Sequence, residues 1–260
     1  MSFYAAQCSL KGARPYNEDT VLGTEAGDGF LAVVADGLGG HGGGNIASRV
    51  AAENLLEGYL ADPHVSREGV QALFDRANRA VLKKQSAEMR MQSTVVCLFY
   101  DGECLAFAHA GDSRLYHFLD GRLVFQTVDH SVTQMAALAG EISEKQIRFH
   151  EDRNRVLRTL GGQESIRAEI RVEAYRVSSR DAFLLCTDGF WEYVWEDEMA
   201  VDLCKSAGPE KWLTYMIARI GGRMNGKNDN FSAVALFGRD DPKDVSLGDG
   251  RGGNFSLNRL

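Results

Sequence analysis

Residues 31–56 read LAVVADGLGGHGGGNIASRVAAENLL. An apolar run gives way to a glycine-dense turn and then to a helix-like segment. Gly37, Gly39 and Gly42 carry the G-x-G-x-x-G spacing of a dinucleotide-binding turn. Asp36 stands directly before the first of these glycines. Two chemistries are therefore open: backbone N–H groups wrapped around a phosphate, or a carboxylate that holds a metal ion. The order of elements along the rest of the chain decides between them.

Working outward, short apolar runs read as buried strands at 30–35, 93–100, 104–110, 114–119, 182–187 and 231–237. Alternation adds a strand over 168–177. The tight links between 93–100 and 104–110, and between 104–110 and 114–119, predict antiparallel hairpins or a meander. Val70, Leu73, Phe74, Ala77 and Val81 form a helical stripe, as do Trp212, Met216, Ile217 and Ile220 behind Pro209. Residues 45–60 read as a helix with Asn45 as its N-cap. The segment 131–150 reads as two short helices broken at Gly140, and 195–207 as one more. Successive helices followed by a hairpin series do not make a βαβ alternation. The expected class is α+β, with antiparallel sheets covered by helices, and a doubly wound dinucleotide fold fits badly.

The totals agree with a single globular domain. The 260 residues are 44% hydrophobic and 25% charged, with a net charge of −7. That charge weighs against nucleic acid as a partner, and no apolar run reaches membrane-spanning length. The N-terminus lacks a basic region followed by an apolar one, so no secretory signal is expected. Five cysteines without a C-x-x-C pair suit a reducing cytoplasm. The polar, glycine-rich stretch 240–260 is expected to be a mobile tail after a domain spanning 1–239.

One pattern recurs at the strand ends. Asp36-Gly37 follows one apolar run and Asp188-Gly189 another, Gly111-Asp112-Ser113 follows a third, and Asn228-Asp229-Asn230 precedes the last. Asn17-Glu18-Asp19 lies ahead of a short apolar segment near the N-terminus. One such acid is an ordinary turn residue. Several brought to one sheet edge would repel each other unless a cation neutralised them. Oxygen donors of this kind suit Mg2+ or Mn2+, and no His/Cys set has zinc spacing.

Arg14-x-x-Asn17-Glu18-Asp19, Asp36-Gly37-Leu38-Gly39-Gly40, Gly111-Asp112-Ser113-Arg114, Asp188-Gly189 and Asn228-Asp229-Asn230 together resemble the metal-dependent serine/threonine phosphatases of the PPM (PP2C) family, in the bacterial version. The resemblance runs in order from residue 14 to 230. It implies a four-layer αββα fold, with a central β-sandwich of two antiparallel sheets flanked by helices. It implies hydrolysis of phosphoserine and phosphothreonine by a metal-activated water at a binuclear Mg2+ or Mn2+ centre. Asp36 would bridge the two ions, the Gly37 carbonyl would add a ligand, and Asp188 and Asp229 would complete the second ion's shell. Glu18 and Asp19 would lie near the first ion, Glu18 acting through water. Asp112, sharing Asp188, would hold a weaker third ion. Arg14 would bind the substrate phosphate with its planar fork. The segment 131–150 would be a flap beside the active site.

Leu38 occupies the place of a histidine that many eukaryotic relatives use as general acid. His41 lies three residues further on, and two readings of it stay open: catalytic acid or loop residue. His109 and His130 read as structural or substrate-proximal. The partners expected are phosphorylated proteins, those of a cognate Ser/Thr kinase, met by a monomer in the cytoplasm. The alternatives are a catalytically inactive binding module, which has no support because every matched ligand position is filled, and an oxidoreductase, which rests on the glycine spacing alone.

Overall fold

A computed structural model describes residues 2–39 and 43–240. In chain order the elements are β1 (Phe3–Leu10), β2 (Asp19–Ala26), β3 (Gly29–Gly39), α1 (Gly43–Ala61), α2 (Arg67–Lys84), β4 (Met91–Ser93), β5 (Val95–Tyr100), β6 (Cys104–Ala110), β7 (Arg114–Leu119) and β8 (Arg122–Gln126). They continue with α3 (Val132–Leu138), α4 (Glu144–Ile147), β9 (Glu169–Ala174), β10 (Asp181–Cys186), α5 (Asp188–Trp191), α6 (Glu196–Cys204), α7 (Pro209–Arg223) and β11 (Phe231–Gly238).

The strands form two antiparallel sheets. One has the order β1-β11-β10-β7-β8; the other runs β2-β3-β5-β6-β9, with β4 added beside β3. Successive side chains of a strand point to opposite faces, and here both faces are covered. Leu31, Val33 and Ala35 of β3 pack under α1 and α2 with Leu55, Phe74 and Val81. Phe30, Ala32 and Val34 point the other way, into the layer between the sheets, where they join Leu98, Phe183 and Leu236. On the outer face of the other sheet, Phe118, Leu184 and Ala235 pack against Trp191, Trp212 and Met216 of α5 and α7. Double coverage is why these strands read as unbroken apolar runs instead of alternating ones. The expected αββα layering is present.

Helix α2 starts where Ser66 accepts the Gly69 N–H, and Glu68 and Lys83–Lys84 suit its dipole. Pro209 opens α7, as its spacing predicted. Gly140, at φ +76, separates α3 from α4. Two local expectations need correction. Asn45 is not an N-cap: α1 already begins at Gly43, and a Cβ on the next residue, Gly44, would lie 2.5 Å from Gly37 O in β3. Strands 104–110 and 114–119 are not paired: β6 pairs with β5 and β9, whereas β7 pairs with β10 and β8. The short Gly111-Asp112-Ser113 link carries the chain from one sheet to the other. Gly111 has φ +118, and a Cβ there would lie 2.5 Å from the Thr94 side chain. Spacing alone does not distinguish a hairpin from this crossing. No helix among the described residues is long and apolar enough to cross a membrane.

Candidate active site

The antiparallel registers gather the strand-end acids. Asp19 and Asp36 are direct partners across β2 and β3. The pairing of β10 with β11 puts the end of one beside the start of the other, which brings Asp188 to Asp229. Asp112 enters from the crossing between sheets. These carboxylates sense one another strongly. Burial, then the charges of Asp19, Asp188, Asp112 and Asp229, push Asp36 well above the usual carboxylate range. Burial likewise raises Asp112, with Asp188 the largest neighbouring charge. Burial pushes Asp19 up to about 7 against hydrogen bonds from Ser232 and Thr187, with Asp188 and Asp229 adding to the rise. Asp188 reaches about 6 from burial and Asp229, although a hydrogen bond from Asp36 favours its charged form.

The backbone around this cluster is bolted in place. Glu18 O accepts the Gly37 N–H at 3.2 Å and the Ser48 hydroxyl at 2.6 Å, while Glu18 Oε1 accepts the Gly44 N–H at 3.2 Å. Asp36 O accepts from Thr94 N at 2.9 Å and from Ser93 Oγ at 3.0 Å. Thr187 Oγ1 donates to Asp19 Oδ2 at 3.1 Å. Gly37 has to be glycine here, since a Cβ would sit 2.0 Å from Gly44 O.

The donor set fits a hard divalent cation. All the candidate ligands are oxygens. The Asp19 Oδ1 atom is buried and has no hydrogen-bond partner, a costly state unless something else satisfies it. Asp19, Asp36, Asp112 and Asp188 are all raised above the usual carboxylate range, as buried acids short of positive charge are. Arg14 is the guanidinium that meets them: its Nη2 donates to Asp229 Oδ2 at 2.6 Å, and the charges of Asp229, Asp188 and Asp36 raise it. Its side chain stays 55% exposed, so the fork remains accessible at the rim.

The comparisons bear on this geometry. The sequence matches the family described as "Protein phosphatase 2C" over residues 13–219. The chain belongs to the protein phosphatase 2C family. It is 30% identical over 231 residues to the serine/threonine protein phosphatase PstP of Mycobacterium tuberculosis, covering 85% of this chain and 43% of PstP. The chain thus spans less than half the length of that relative. It is also 30% identical over 195 residues to the serine/threonine phosphatase stp of Listeria monocytogenes, covering 72% of this chain and 77% of stp. A crystal structure of M. tuberculosis PstP superposes with a TM-score of 0.81 at 25% identity, covering 92% of this chain and 100% of that one. Another structure, of the PstP catalytic domain, is described as a complex with 2 manganese ions.

Within this phosphatase 2C chain, Asp36, Gly37, Asp188, Asp229, Glu18, Asp19, Asp112 and Arg14 fall in one place. His41 lies outside the described residues, as does the stretch 241–260. Neighbours that the sequence reading passed over complete the rim. Glu192, one turn beyond Asp188, is pushed up to about 7 by burial and by Asp188, and its Oε1 accepts from Arg153 Nε at 2.8 Å. Trp191 Nε1 donates to the Asp112 carbonyl at 2.9 Å, with the Arg114 guanidinium 3.5 Å above its ring. The i, i+4 spacing from Asp188 was the available signal for Glu192. Trp191 left none, because it reads as an ordinary core aromatic.

His109, His130 and Glu169 bring nitrogen and oxygen atoms within 4.8 Å of one another. They do not form a second metal site. His109 Nε2 faces the Val128 carbonyl at 2.8 Å, and His130 Nδ1 accepts the Gly111 N–H at 3.2 Å. His130 Nε2 lies 2.8 Å from the Arg158 Nη1 donor and 3.3 Å from Glu169 Oε2. With a backbone N–H at one ring nitrogen and a guanidinium at the other, His130 meets donors where a cation would need free lone pairs.

Proposed function

We propose that this chain hydrolyses phosphoserine and phosphothreonine in phosphoproteins with the help of Mg2+ or Mn2+. The observation that carries the reading is the convergence of Asp19, Asp36, Asp112, Asp188 and Asp229 beside one exposed arginine fork. Asp36 would serve both cations, Gly37 O would add a ligand, Asp188 and Asp229 would hold the second ion, and Asp19, with Glu18 acting through water, would serve the first. Asp112 with Asp188 would take a weaker third. Divalent ions so held supply an activated water for in-line attack and neutralise charge on the phosphate oxygens.

The chain's own groups do the rest. Arg14 offers two parallel N–H donors to two phosphate oxygens and so orients the phosphorus over the carboxylates. Burial and neighbouring acids raise both Asp36 and Asp188, so cations held by their oxygens would favour the deprotonated forms. His41, three residues past Leu38, is our candidate for protonating the leaving serine or threonine oxygen, with water as the other. The segment 131–150, which contains α3 and α4, would act as the flap. The substrates we assign are those of a Ser/Thr kinase, met by a monomer in the cytoplasm; five unpaired cysteines suit that compartment.

The test is hydrolysis of p-nitrophenyl phosphate and of a phosphothreonine peptide by wild-type protein with Mn2+, with EDTA, and by Asp36→Asn with Mn2+. Activity should appear only in the first arm. Equal rates in all three would sink the proposal.

A further inference from the structure

Asn230 follows Asp229 in the last motif, and its side chain is 6% exposed. Its Oδ1 accepts the Glu18 N–H at 2.8 Å, and its Nδ2 donates to Lys11 O at 2.9 Å and to Tyr16 O at 2.8 Å. Lys11 and Tyr16 bracket Arg14, on a stretch that is neither strand nor helix. The Asn230 N–H donates to Asp229 Oδ1 at 2.8 Å. A Cβ on Gly189 would lie 2.0 Å from Asn230 O, so the same residue also abuts the turn after Asp188. The side-chain amide therefore ties the 11–18 stretch to the Asp229 turn, far away in sequence, and the Asn230 backbone abuts the turn after Asp188.

The loop is pressed onto this turn by its backbone as well. Ala13 N donates to Asn228 O at 3.0 Å, and Gly12, at φ +58, approaches so closely that a Cβ would come 2.1 Å from Asp229 O. Arg14 then reaches Asp229 Oδ2 from this braced position. A long, exposed arginine on an unbraced loop would lose backbone and rotamer freedom each time it gripped a ligand. A loop already fixed to the turn has lost that freedom on folding, which is how positioning raises affinity. The bonding pattern requires one acceptor and two donors on a short planar group, and only a carboxamide provides them. Aspartate would face two carbonyl oxygens with another acceptor; alanine would leave all three backbone groups unpaired.

We propose that Asn230 is a positioning residue: it fixes the Arg14 loop against the Asp229 turn and thereby sets the arginine's grip on the substrate phosphate. This rests on the reading of Arg14 as the phosphate-binding residue. Asn230 touches no substrate; it acts through Arg14.

The experiment is a double-mutant cycle on inorganic phosphate binding, measured by calorimetry with Mn2+ saturating. It uses wild type, Arg14→Ala, Asn230→Asp and the double variant, with Asn230→Ala as a second substitution and thermal melting to establish folding. Loss of a charge-assisted grip predicts that Arg14→Ala and Asn230→Asp each weaken phosphate binding about tenfold or more. The double variant should bind less than about twofold more weakly than Arg14→Ala alone, because a residue that acts through Arg14 has nothing left to position. KM for a phosphothreonine peptide should rise more than kcat falls in Asn230→Asp. Phosphate binding unchanged in both Asn230 variants would overturn the inference, as would losses that add in full. If Arg14→Ala itself keeps wild-type phosphate affinity, the reading of Arg14 fails, a result distinct from failure at Asn230 alone.

Discussion

Two carboxylates at different places in the same sandwich behave in opposite ways. Asp181 opens β10 and is 2% exposed. Its Oδ1 accepts from His117 Nε2 at 2.8 Å and Tyr175 OH at 2.6 Å, and its Oδ2 accepts from Ser178 N at 2.9 Å and Ser178 Oγ at 3.0 Å. Burial alone would raise it, but these bonds outweigh burial and hold it below the usual range. Asp36 is raised instead, by loss of water first and then by the four other acids around it. Loss of water pushes both upward. The partners differ, and they mark Asp181 as part of the scaffold and Asp36 as part of the cluster that we propose holds cations.

The largest effect that sharpens this contrast is on activity. Asp36→Asn keeps the shape and removes the charge, and should lower kcat/KM by about a thousandfold or more, as loss of a metal-bridging ligand does. The metal-free protein should melt at the same temperature or higher, since a repulsive charge is gone. A lower melting point would break the comparison. Asp181→Asn should do the reverse, costing about 3 kcal/mol of stability by leaving buried His117 and Tyr175 groups with a poorer partner. Urea unfolding measures this, and kcat/KM of the folded protein should stay within about threefold of wild type.

A pH series separates the two further. Asp19 and Asp188 stand at about 7 and about 6 when folded, above the carboxylate value near 4 of an unfolded chain. In that window the folded state binds more protons, so the metal-free protein should lose stability as pH rises from about 4 to 7. Mn2+ should reverse the trend, because cations bind the deprotonated acids. Asp181 has the opposite sign: its contribution is present above the unfolded value and is lost as pH falls through its lowered folded value. Melting curves from pH 4 to 8, with Mn2+ and with EDTA, check both signs. A metal-free melting point that climbs steadily to pH 7 would contradict the first.

The smallest effect concerns Asp112. Trp191→Phe keeps a ring under Arg114 but deletes the N–H that holds the Asp112 carbonyl. Activity should fall less than about tenfold at limiting Mn2+ and recover at saturation, a size suited to one hydrogen bond. A loss that persists at saturating Mn2+ would place the role of Trp191 elsewhere.

The acid cluster was legible because its carboxylates stand in turn motifs directly beside apolar strands, and because local spacing records both. Asp36-Gly37 and Asp188-Gly189 each follow runs whose residues fill two cores, so the strands were unmistakable. What stayed hidden depends on long-range pairing. The Gly111-Asp112-Ser113 link has the length of a hairpin, yet it crosses between sheets, with Gly111 pressed against Thr94 at the crossing. Strands β1, β2 and β8 are partly polar edge or near-edge elements, with little of the continuous apolar signal. Asn230 and Glu192 gain meaning only once residues far away in the sequence are brought to them.

The central claim is that the acid cluster is a cation site. It is tested most directly by calorimetric titration of metal-free wild type and Asp36→Asn with Mn2+ near pH 6.5, in buffers of different ionisation enthalpy. The account predicts at least two Mn2+ per wild-type chain with net proton release, and loss of the tightest binding in the variant. Absence of Mn2+ binding by wild type, or identical isotherms for the two proteins, would contradict it.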